Sequence, residues 1–356
     1  MTSRNFRPNR RSVLGGMGAV GLSFGLPGTG RAAEGTVNFY NWDTYIGETT
    51  LAQFTDATGV KVQYDLFADN EELFAKFRNG NPGYDLIVPT NDFVERFIVA
   101  DLLEEIDHAK IPNLANIDPA FADPAHDPGR KYSVPYMWGT IGIGYRKSAV
   151  STPPTSWADL YTSEEYAGRI ALLGEPTTVF QMAFKLMGKS MNDWSDENLA
   201  AAEAMLIAQK KNITAFAPDN GQDLLLAGEV DLAMEWNGDV LQVMEEDDDI
   251  GYVVPKEGTM VWEDDLCIPK GAPNPDGAHA LINHILDAEQ GAEIADFIYY
   301  ATPNAAARTL MDAEYTENPA IFPAGEAMEK SEVSIFSGQE TLAKIDAAWT
   351  RVRAAG

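Results

Sequence analysis

The chain has 356 residues, and its 54 acidic and 26 basic side chains give a formal net charge of −28. This acidity excludes ordinary nucleic-acid binding, which needs basic patches that neutralise phosphates, and it suits a cationic partner or a saline habitat. The length is sufficient for two lobes with separate hydrophobic cores. Because Cys267 is the single cysteine, no intramolecular disulfide can form, and its position in DLCIPK predicts a buried strand residue.

The first 33 residues have the composition of an export signal. The adjacent Arg10 and Arg11 precede an apolar run rich in Gly and Ala, and GRAA then predicts cleavage near Ala32 or Ala33. We therefore predict a twin-arginine signal peptide over residues 1–33 and export to a bacterial periplasm. A basic N-terminal helix of the fold is the alternative. No later apolar run reaches about 18 residues, so we predict no membrane span.

The chain after the signal alternates strands and helices. Strand TVNFYNW is followed by helix TTLAQFTDATG, strand VKVQYDLF, helix NEELFAKFRNG, strand YDLIVPT and helix DFVERFIVADLLE. Apolar residues recur every second position in the strands and every third or fourth in the helices. This order predicts a doubly wound α/β lobe with a parallel sheet. Asn70 is the expected N-cap of the second helix.

A second α/β lobe is predicted further along. The Gly-interrupted stretch KYSVPYMWGTIGIGYRKSAV indicates a crossing between lobes, and YVVPKEGTMVWEDDLCIPK indicates a crossing back. Between them lie PPTSWADLY, strand GRIALLG, one long helical region from Thr178 to about Gln209, and VDLAMEWNGDVLQVM. We predict an N-terminal lobe of residues 34–140 plus 263–306 and a C-terminal lobe of residues 141–262 plus 307–356.

Signatures of catalysis and metal binding are weak. The four histidines stand at positions 108, 126, 279 and 284 without an H-E-x-x-H motif or a Cys/His cluster, and no G-x-S-x-G follows the signal. The acidic run EEDDDI lacks the spacing of a calcium loop, so we predict a solvated loop there. We therefore predict no catalytic residue, no metal and no cofactor.

Aromatic residues recur beside acidic or small polar residues at the ends of apolar runs. The stretches are NWDTY, EWNGD, VWEDD and IYYATPN. Ligands of open α/β sheets bind outside the carboxyl ends of strands, so this placement favours an aromatic cage. Aromatic faces attract an ammonium group, and carboxylates supply the charge pairing that a buried ammonium requires. The alternative is that each tryptophan packs in the core beside an exposed acid.

Eight stretches together resemble a known family. They are FYNWDTYI, YDLIVPT, YSVPYMWGTIGIGY, SWADLY, VFQMA, GEVDLAMEWNGD, PKEGTMVWEDDLCIP and YYATPNAAAR. In this order they resemble the periplasmic polyamine-binding proteins of ABC importers, which bind spermidine or putrescine. The resemblance implies an α/β fold of the type II periplasmic binding proteins, with hinge-linked doubly wound lobes, a ligand cleft between them and closure on binding.

The resemblance also implies ligand-binding residues. Two positions depart from the family pattern: Thr178 stands where relatives have a Glu, and Asp92 stands where spermidine-type relatives have a Tyr. We expect Asp92 to restore the charge lost at Thr178. The predicted site consists of the aromatic residues Trp42, Tyr45, Trp236, Trp262 and Tyr300, the hydroxyl of Thr90, and the acids Asp92, Glu175, Asp239 and Asp264.

The resemblance implies a monomeric receptor that captures a polyamine and delivers it to an inner-membrane ABC permease, without enzymatic activity. A receptor of the same fold for another small cationic or zwitterionic amine is the first alternative, and a glycosidase with paired carboxylates is a remote one. The stretch WNGD is similar to putrescine-type relatives, whereas SWADL and VFQMA are similar to the spermidine type. The length of the ligand therefore stays open.

Overall fold

The computed structural model describes residues 35–218 and 220–355, so the predicted signal peptide lies outside the described residues. The strands are β1 (Thr36–Trp42), β2 (Lys61–Phe67), β3 (Leu86–Ile87), β4 (Ser133–Arg146), β5 (Ile170–Leu173), β6 (Ile213–Ala217), β7 (Leu232–Trp236), β8 (Ile250–Val253), β9 (Met260–Cys267) and β10 (Glu332–Val333). The helices are α1 (Thr50–Thr58), α2 (Asn70–Phe77), α3 (Asn91–Val99), α4 (Ala158–Tyr161), α5 (Pro176–Leu186), α6 (Asp196–Gln209), α7 (Gly221–Leu226), α8 (Asn237–Met244), α9 (Pro275–Ile285), α10 (Ala288–Ile298), α11 (Ala305–Arg308), α12 (Ala313–Thr316), α13 (Glu326–Glu329) and α14 (Gln339–Ala354).

The strands form one curled sheet in the order β2-β1-β3-β9-β4-β7-β5-β6, with β10 beside β9 and β8 beside β4. The pairs β1–β2, β1–β3, β5–β6 and β5–β7 are parallel, as the βαβ pattern of the sequence predicted. The pairs of β9 with β3 and of β4 with β9 and β7 are antiparallel. Two mainly parallel groups of strands are therefore joined through β9 and β4.

The long strand β4 is the connection between the two groups. Its residues from Ser133 to Thr140 pair with β9, and its residues from Ile141 to Tyr145 pair with β7. A bulge between Pro135 and Met137 interrupts the first part. The change of partner falls between Thr140 and Ile141, and the lobe boundary predicted at residues 140/141 stays a prediction.

Two details of the predicted helices were wrong. The single helix expected from Thr178 to Gln209 is divided into α5 and α6, because Gly188 adopts a φ of 70° beyond the end of α5. Ser195 then begins α6 by accepting a hydrogen bond from the backbone of Asn198 at 3.4 Å. The N-cap of α2 is Asp69 rather than Asn70, since its carboxylate accepts the N–H of Glu72 at 2.7 Å.

The structure agrees in part with the predictions made for Cys267 and for the acidic run EEDDDI. Cys267 is buried in β9, which confirms its predicted setting. The acidic run is less solvated than predicted, because Asp247 and Asp249 form ion pairs with Arg146 at 3.5 and 2.9 Å. Among residues 35–218 and 220–355, no helix is both long enough and apolar enough to cross a membrane.

Candidate functional site

A cavity of about 60 Å³ lies where β1, β7 and β9 bring their aromatic residues together. Trp42 is the last residue of β1 and Trp236 is the last residue of β7, so both stand at carboxyl ends of parallel strands. The middle of β9 supplies Trp262 and Asp264 from the antiparallel connection. The cavity is lined by Trp42, Asp43, Tyr45, Ala68, Asn70, Thr90, Glu175, Trp236, Asp239, Trp262, Asp264 and Tyr300.

The rings of the cavity form a continuous series of edge-to-face contacts. Trp236 meets Trp262 with centroids 5.7 Å apart, and Trp262 meets Tyr300 at 5.1 Å. Tyr300 meets Tyr45 at 5.3 Å, and Tyr45 meets Tyr136 at the same separation. Each such pair adds about 0.5–1.5 kcal/mol beyond its burial, so the wall is preorganised. Its ring faces are suited to alkyl chains and to ammonium groups.

Glycines on neighbouring elements allow the rings to approach the backbone. A Cβ at Gly139 of β4 would lie 2.5 Å from the Trp262 ring, and a Cβ at Gly238 of α8 would lie 2.5 Å from the Tyr300 ring. Both distances are well below van der Waals contact. The Gly-rich crossing and the WNGD stretch therefore fix the positions of two cage rings.

Asp264 is a buried carboxylate of the cavity with two hydrogen-bond donors. It accepts the hydroxyl hydrogen of Tyr45 at 2.8 Å and that of Thr90 at 2.7 Å. Burial raises the pKa of Asp264 to about 7, although these two hydrogen bonds oppose the rise, and the charges of Asp265 and Asp92 add to it. A cation in the cavity would favour the ionised form of Asp264, because an opposite charge stabilises a buried carboxylate.

Glu175 and Asp239 line the cavity from the beginnings of two helices. Glu175 is the N-cap residue of α5, and Asp239 lies in the first turn of α8. Thr178 donates its hydroxyl hydrogen to Glu175 at 3.1 Å. The residue that departs from the family pattern thus contacts a neighbouring cavity carboxylate.

A second cavity of about 560 Å³ continues from the first. Four residues line both cavities, namely Asn70, Thr90, Glu175 and Trp236. Asp92, in the first turn of α3, lines the second cavity together with Thr178. Burial raises the pKa of Asp92 to about 6, although its carboxylate accepts the backbone N–H of Phe93 at 3.1 Å. The carboxylate of Asp92 can therefore accept further hydrogen bonds from a cation in the cavity.

Nine of the ten residues singled out in the sequence line the first cavity, and Asp92 lines its continuation. The other three lining residues are Asp43, which belongs to the NWDTY stretch, and Ala68 and Asn70, which sequence reasoning missed. Asn70 donates to the hydroxyl of Thr90 at 2.9 Å and accepts the Thr90 N–H at 3.2 Å, so it orients that hydroxyl toward Asp264. Its place just after the end of β2, at a helix start, was the available signal.

A cleft of aromatic rings and carboxylates between two α/β sheet halves defines a two-lobed solute-binding protein. The family model described as "Bacterial extracellular solute-binding protein" matches residues 49–324. The chain belongs to this family. Its members are binding proteins rather than enzymes, which excludes the glycosidase alternative.

Individual relatives cover most of the chain. A spermidine/putrescine-binding periplasmic protein of Escherichia coli is 36% identical over 318 residues, which are 89% of this chain and 91% of that protein. The putrescine-binding periplasmic protein PotF of Escherichia coli is 33% identical and covers 99% of both chains. The structure of the spermidine/putrescine ABC transporter substrate-binding protein PotD from Streptococcus pneumoniae superposes with a TM-score of 0.80, at 32% identity, covering 90% of this chain and 99% of that chain.

Proposed function

We propose that this protein captures a polyamine in the periplasm and delivers it to an inner-membrane ABC permease. The observation that carries the proposal is Asp264, a buried carboxylate with a raised pKa that faces a cavity walled by Trp262, Tyr300 and Tyr45. A buried carboxylate is costly unless a cation or hydrogen bonds compensate it. The names of the relatives, spermidine/putrescine-binding and putrescine-binding proteins, support a polyamine as that cation.

The ten predicted residues contribute to binding in two ways, through aromatic contacts and through ion pairs. The methylene groups of the ligand lie against the tryptophan and tyrosine rings, which exclude water from the chain between the ammonium groups. Ammonium groups pair with carboxylates at each end, and a charge-assisted bond contributes about 1.5–3 kcal/mol. The proposed ligand-binding residues are Trp42, Tyr45, Thr90, Asp92, Glu175, Trp236, Asp239, Trp262, Asp264 and Tyr300.

The second cavity bears on the length of the ligand. We propose that a diamine pairs with the carboxylates of the first cavity, and that a longer triamine extends past Glu175, which lines both cavities, toward Asp92. Thr178 reduces the negative charge of this region relative to a Glu, and Asp92 adds it back from α3. We therefore expect both diamines and triamines to enter the cleft, with Asp92 contacting only the longer ones.

The proposal also covers the export of the protein, its oligomeric state and the closure of its lobes. Residues 1–33 direct export by the twin-arginine pathway, and the receptor works as a monomer. The segments 34–140 plus 263–306 and 141–262 plus 307–356 form lobes that close over the ligand around β4 and β9.

Calorimetric titration of the refolded, ligand-free protein with putrescine, cadaverine, spermidine and spermine tests the proposal. We expect micromolar or tighter binding of at least one of these amines, weakened by higher salt because the pairing is ionic. Asp264→Asn should remove most of the affinity, whereas Asp101→Asn, which changes an exposed carboxylate paired with Lys270, should leave it unchanged. Binding of a zwitterionic amine in place of all four polyamines would favour the first alternative.

A further inference from the structure

The strand β9 carries acids on both of its faces. Trp262 and Asp264 face the cavity, while the alternating residues Glu263 and Asp265 face the opposite side. On that opposite side the side chains of Arg130 and Asp265 are buried, and that of Glu263 is largely so. A strand with three consecutive carboxylates is stable only if positive charge compensates the buried ones.

Arg130 provides that charge. Its Nη1 donates to Asp265 at 2.5 Å, and its Nη2 donates to Glu263. The Nε2 atom of His126 lies 2.9 Å from the second carboxylate oxygen of Asp265. We define Arg130, His126, Glu263 and Asp265 as the back-face cluster of β9.

The chain around Arg130 is built to hold this side chain in place. Arg130 adopts a φ of 53°, which a non-glycine residue rarely takes, and its Nε donates to the carbonyl of Phe121 at 2.8 Å. Its own carbonyl lies 2.7 Å from Nε2 of His108. Asp127 accepts hydrogen bonds from the backbone and the hydroxyl of Ser133 at 2.8 and 2.9 Å, which closes the loop toward β4.

The back-face cluster resembles a metal site in composition. Ligand atoms of His126, Glu263 and Asp265 all lie within 4.8 Å of one another. The guanidinium of Arg130 contacts both carboxylates, however, and occupies the place of a cation. The composition therefore carries no metal proposal, and the cluster is an ion network.

We propose that Arg130 and His126 are positioning residues for amine capture: their ion pairs with Glu263 and Asp265 fix β9 and allow Asp264 to carry the charge that binds the ligand. This inference rests on the proposed function. It assigns a role in binding to residues that do not line the cavity.

The electrostatics agree with this role. Burial would raise the pKa of Asp265, but the charges of Arg130 and His126 outweigh burial and hold it below its usual value. The charge of Asp265 in turn raises the pKa of Asp264. Removal of Arg130 would leave the charge of Asp265 compensated only by His126 immediately behind the cavity, so that Asp264 would ionise only at higher pH.

Other groups also face Asp264, and the test must hold them constant. The hydroxyls of Tyr45 and Thr90 donate to its carboxylate, and the carboxylate of Asp92 adds to the rise of its pKa. Within residues 35–218 and 220–355, further titratable groups around it are Tyr136 on β4 and Asp43, Glu175, Asp239 and Tyr300 around the cavity.

The experiment compares wild type with Arg130→Gln, Arg130→Lys and the matched control Arg146→Gln. Arg146 pairs with Asp247 and Asp249 in the other half of the sheet. Spermidine and putrescine affinities are measured from about pH 5 to pH 9, and the carboxyl carbon of Asp264 is titrated by NMR in the ligand-free proteins. Melting temperatures of all variants are recorded in parallel.

For Arg130→Gln we expect affinity about 10-fold lower near pH 7, a smaller loss near pH 9, and a pKa of Asp264 raised by about one unit. Arg130→Lys should restore most of the profile because it keeps the charge, and Arg146→Gln should not change it. If Arg130→Gln does not fold, His126→Gln should shift the profile in the same direction by a smaller amount.

The proposal is wrong if the variants fold and the pKa of Asp264 and the shape of the pH profile stay as in wild type, even where affinity falls uniformly. Failure of the wild-type protein to bind any amine would instead overturn the proposed function. The titration of Asp264 still decides in that case whether Arg130 controls its charge, so the two failures are distinguishable.

Discussion

The hydroxyl of Tyr45 donates to the carboxylate of Asp264 at 2.8 Å, across 219 positions of the chain. Tyr45 is itself fixed, because its carbonyl accepts hydrogen bonds from Tyr136 at 2.6 Å and from Asn41 at 3.0 Å. The pair joins the segment after β1 to the connecting strand β9. A ligand cation beside Asp264 would therefore meet a carboxylate whose orientation is set before binding.

The raised pKa of Asp264 predicts a pH dependence of amine affinity. The free protein holds Asp264 protonated below its pKa of about 7, and an ammonium pairs with the ionised form. Affinity should therefore rise from about pH 5 to pH 7 and level off above, as long as the amines stay charged up to about pH 10. Calorimetry in buffers of different ionisation enthalpy checks this, since binding below pH 7 should release a proton.

Asp264 also affects the stability of the fold. Its contribution changes with pH in the direction opposite to that of an ordinary ion-paired carboxylate. The folded pKa of Asp264 is raised above the value of 3.8, so the folded state binds more protons and loses stability as pH rises toward 7. Bound amine removes this cost. The increase in melting temperature on adding saturating amine should be larger at about pH 8 than at about pH 5, and an equal increase at both would contradict the assignment.

Tyr45→Phe tests the hydrogen bond to Asp264 without removing the ring. We expect about 10-fold weaker amine binding, equivalent to about 1.4 kcal/mol, because the carboxylate loses a donor and its ionised form becomes less favourable. The ring contacts with Tyr136 and Tyr300 should persist. Tyr84→Phe is the matched control, since that hydroxyl donates at 3.0 Å to Asp65, a carboxylate that does not line either cavity. An unchanged affinity in Tyr45→Phe would show that the hydrogen bond does not act in binding.

Asp92→Asn tests whether a longer amine reaches Asp92 in the second cavity. We expect spermidine affinity to fall about 10-fold and putrescine affinity to stay within about twofold, because only the longer amine places a charge near Asp92. Calorimetric titration with both amines gives the ratio directly. Asp101→Asn, just beyond the end of α3, controls for a general loss of negative charge near this helix. Equal losses for the two amines would mean that Asp92 acts through the overall field of the cleft.

Gly238→Ala tests the fit of Tyr300. The added Cβ would lie 2.5 Å from the ring, so Tyr300 must move within the cage and amine affinity should fall at least 10-fold. Gly291→Ala in α10 is a suitable control, because its Cβ would approach Asn304 at 2.9 Å, a residue that does not line the cavity. Binding assays with melting temperatures separate the two effects. Loss of stability without loss of affinity in Gly238→Ala would contradict a role for Tyr300 in binding.

Local sequence signals were sufficient for much of the fold and for most of the candidate site. Strand TVNFYNW and the helix after it follow simple apolar periods, and the structure has both. The break between α5 and α6 was harder to predict from the sequence, because the end of α5 depends on the backbone conformation of Gly188. Asn70 shows the same limit: its cap-like setting was visible, whereas its hydrogen bonds to Thr90 depend on a loop 20 residues away.

The sequence by itself determined the alternation of strands and helices, the aromatic residues that end β1 and β7, and the acids beside them, because these depend on periods and neighbours within a few residues. The tertiary structure alone decided how the rings contact one another, the raised pKa of Asp264 and the ion network behind β9. Those properties arise from burial and from charges on distant segments: Arg130 reaches Asp265 across 135 positions. Only folding brings such groups into the low-dielectric contact that shifts a pKa.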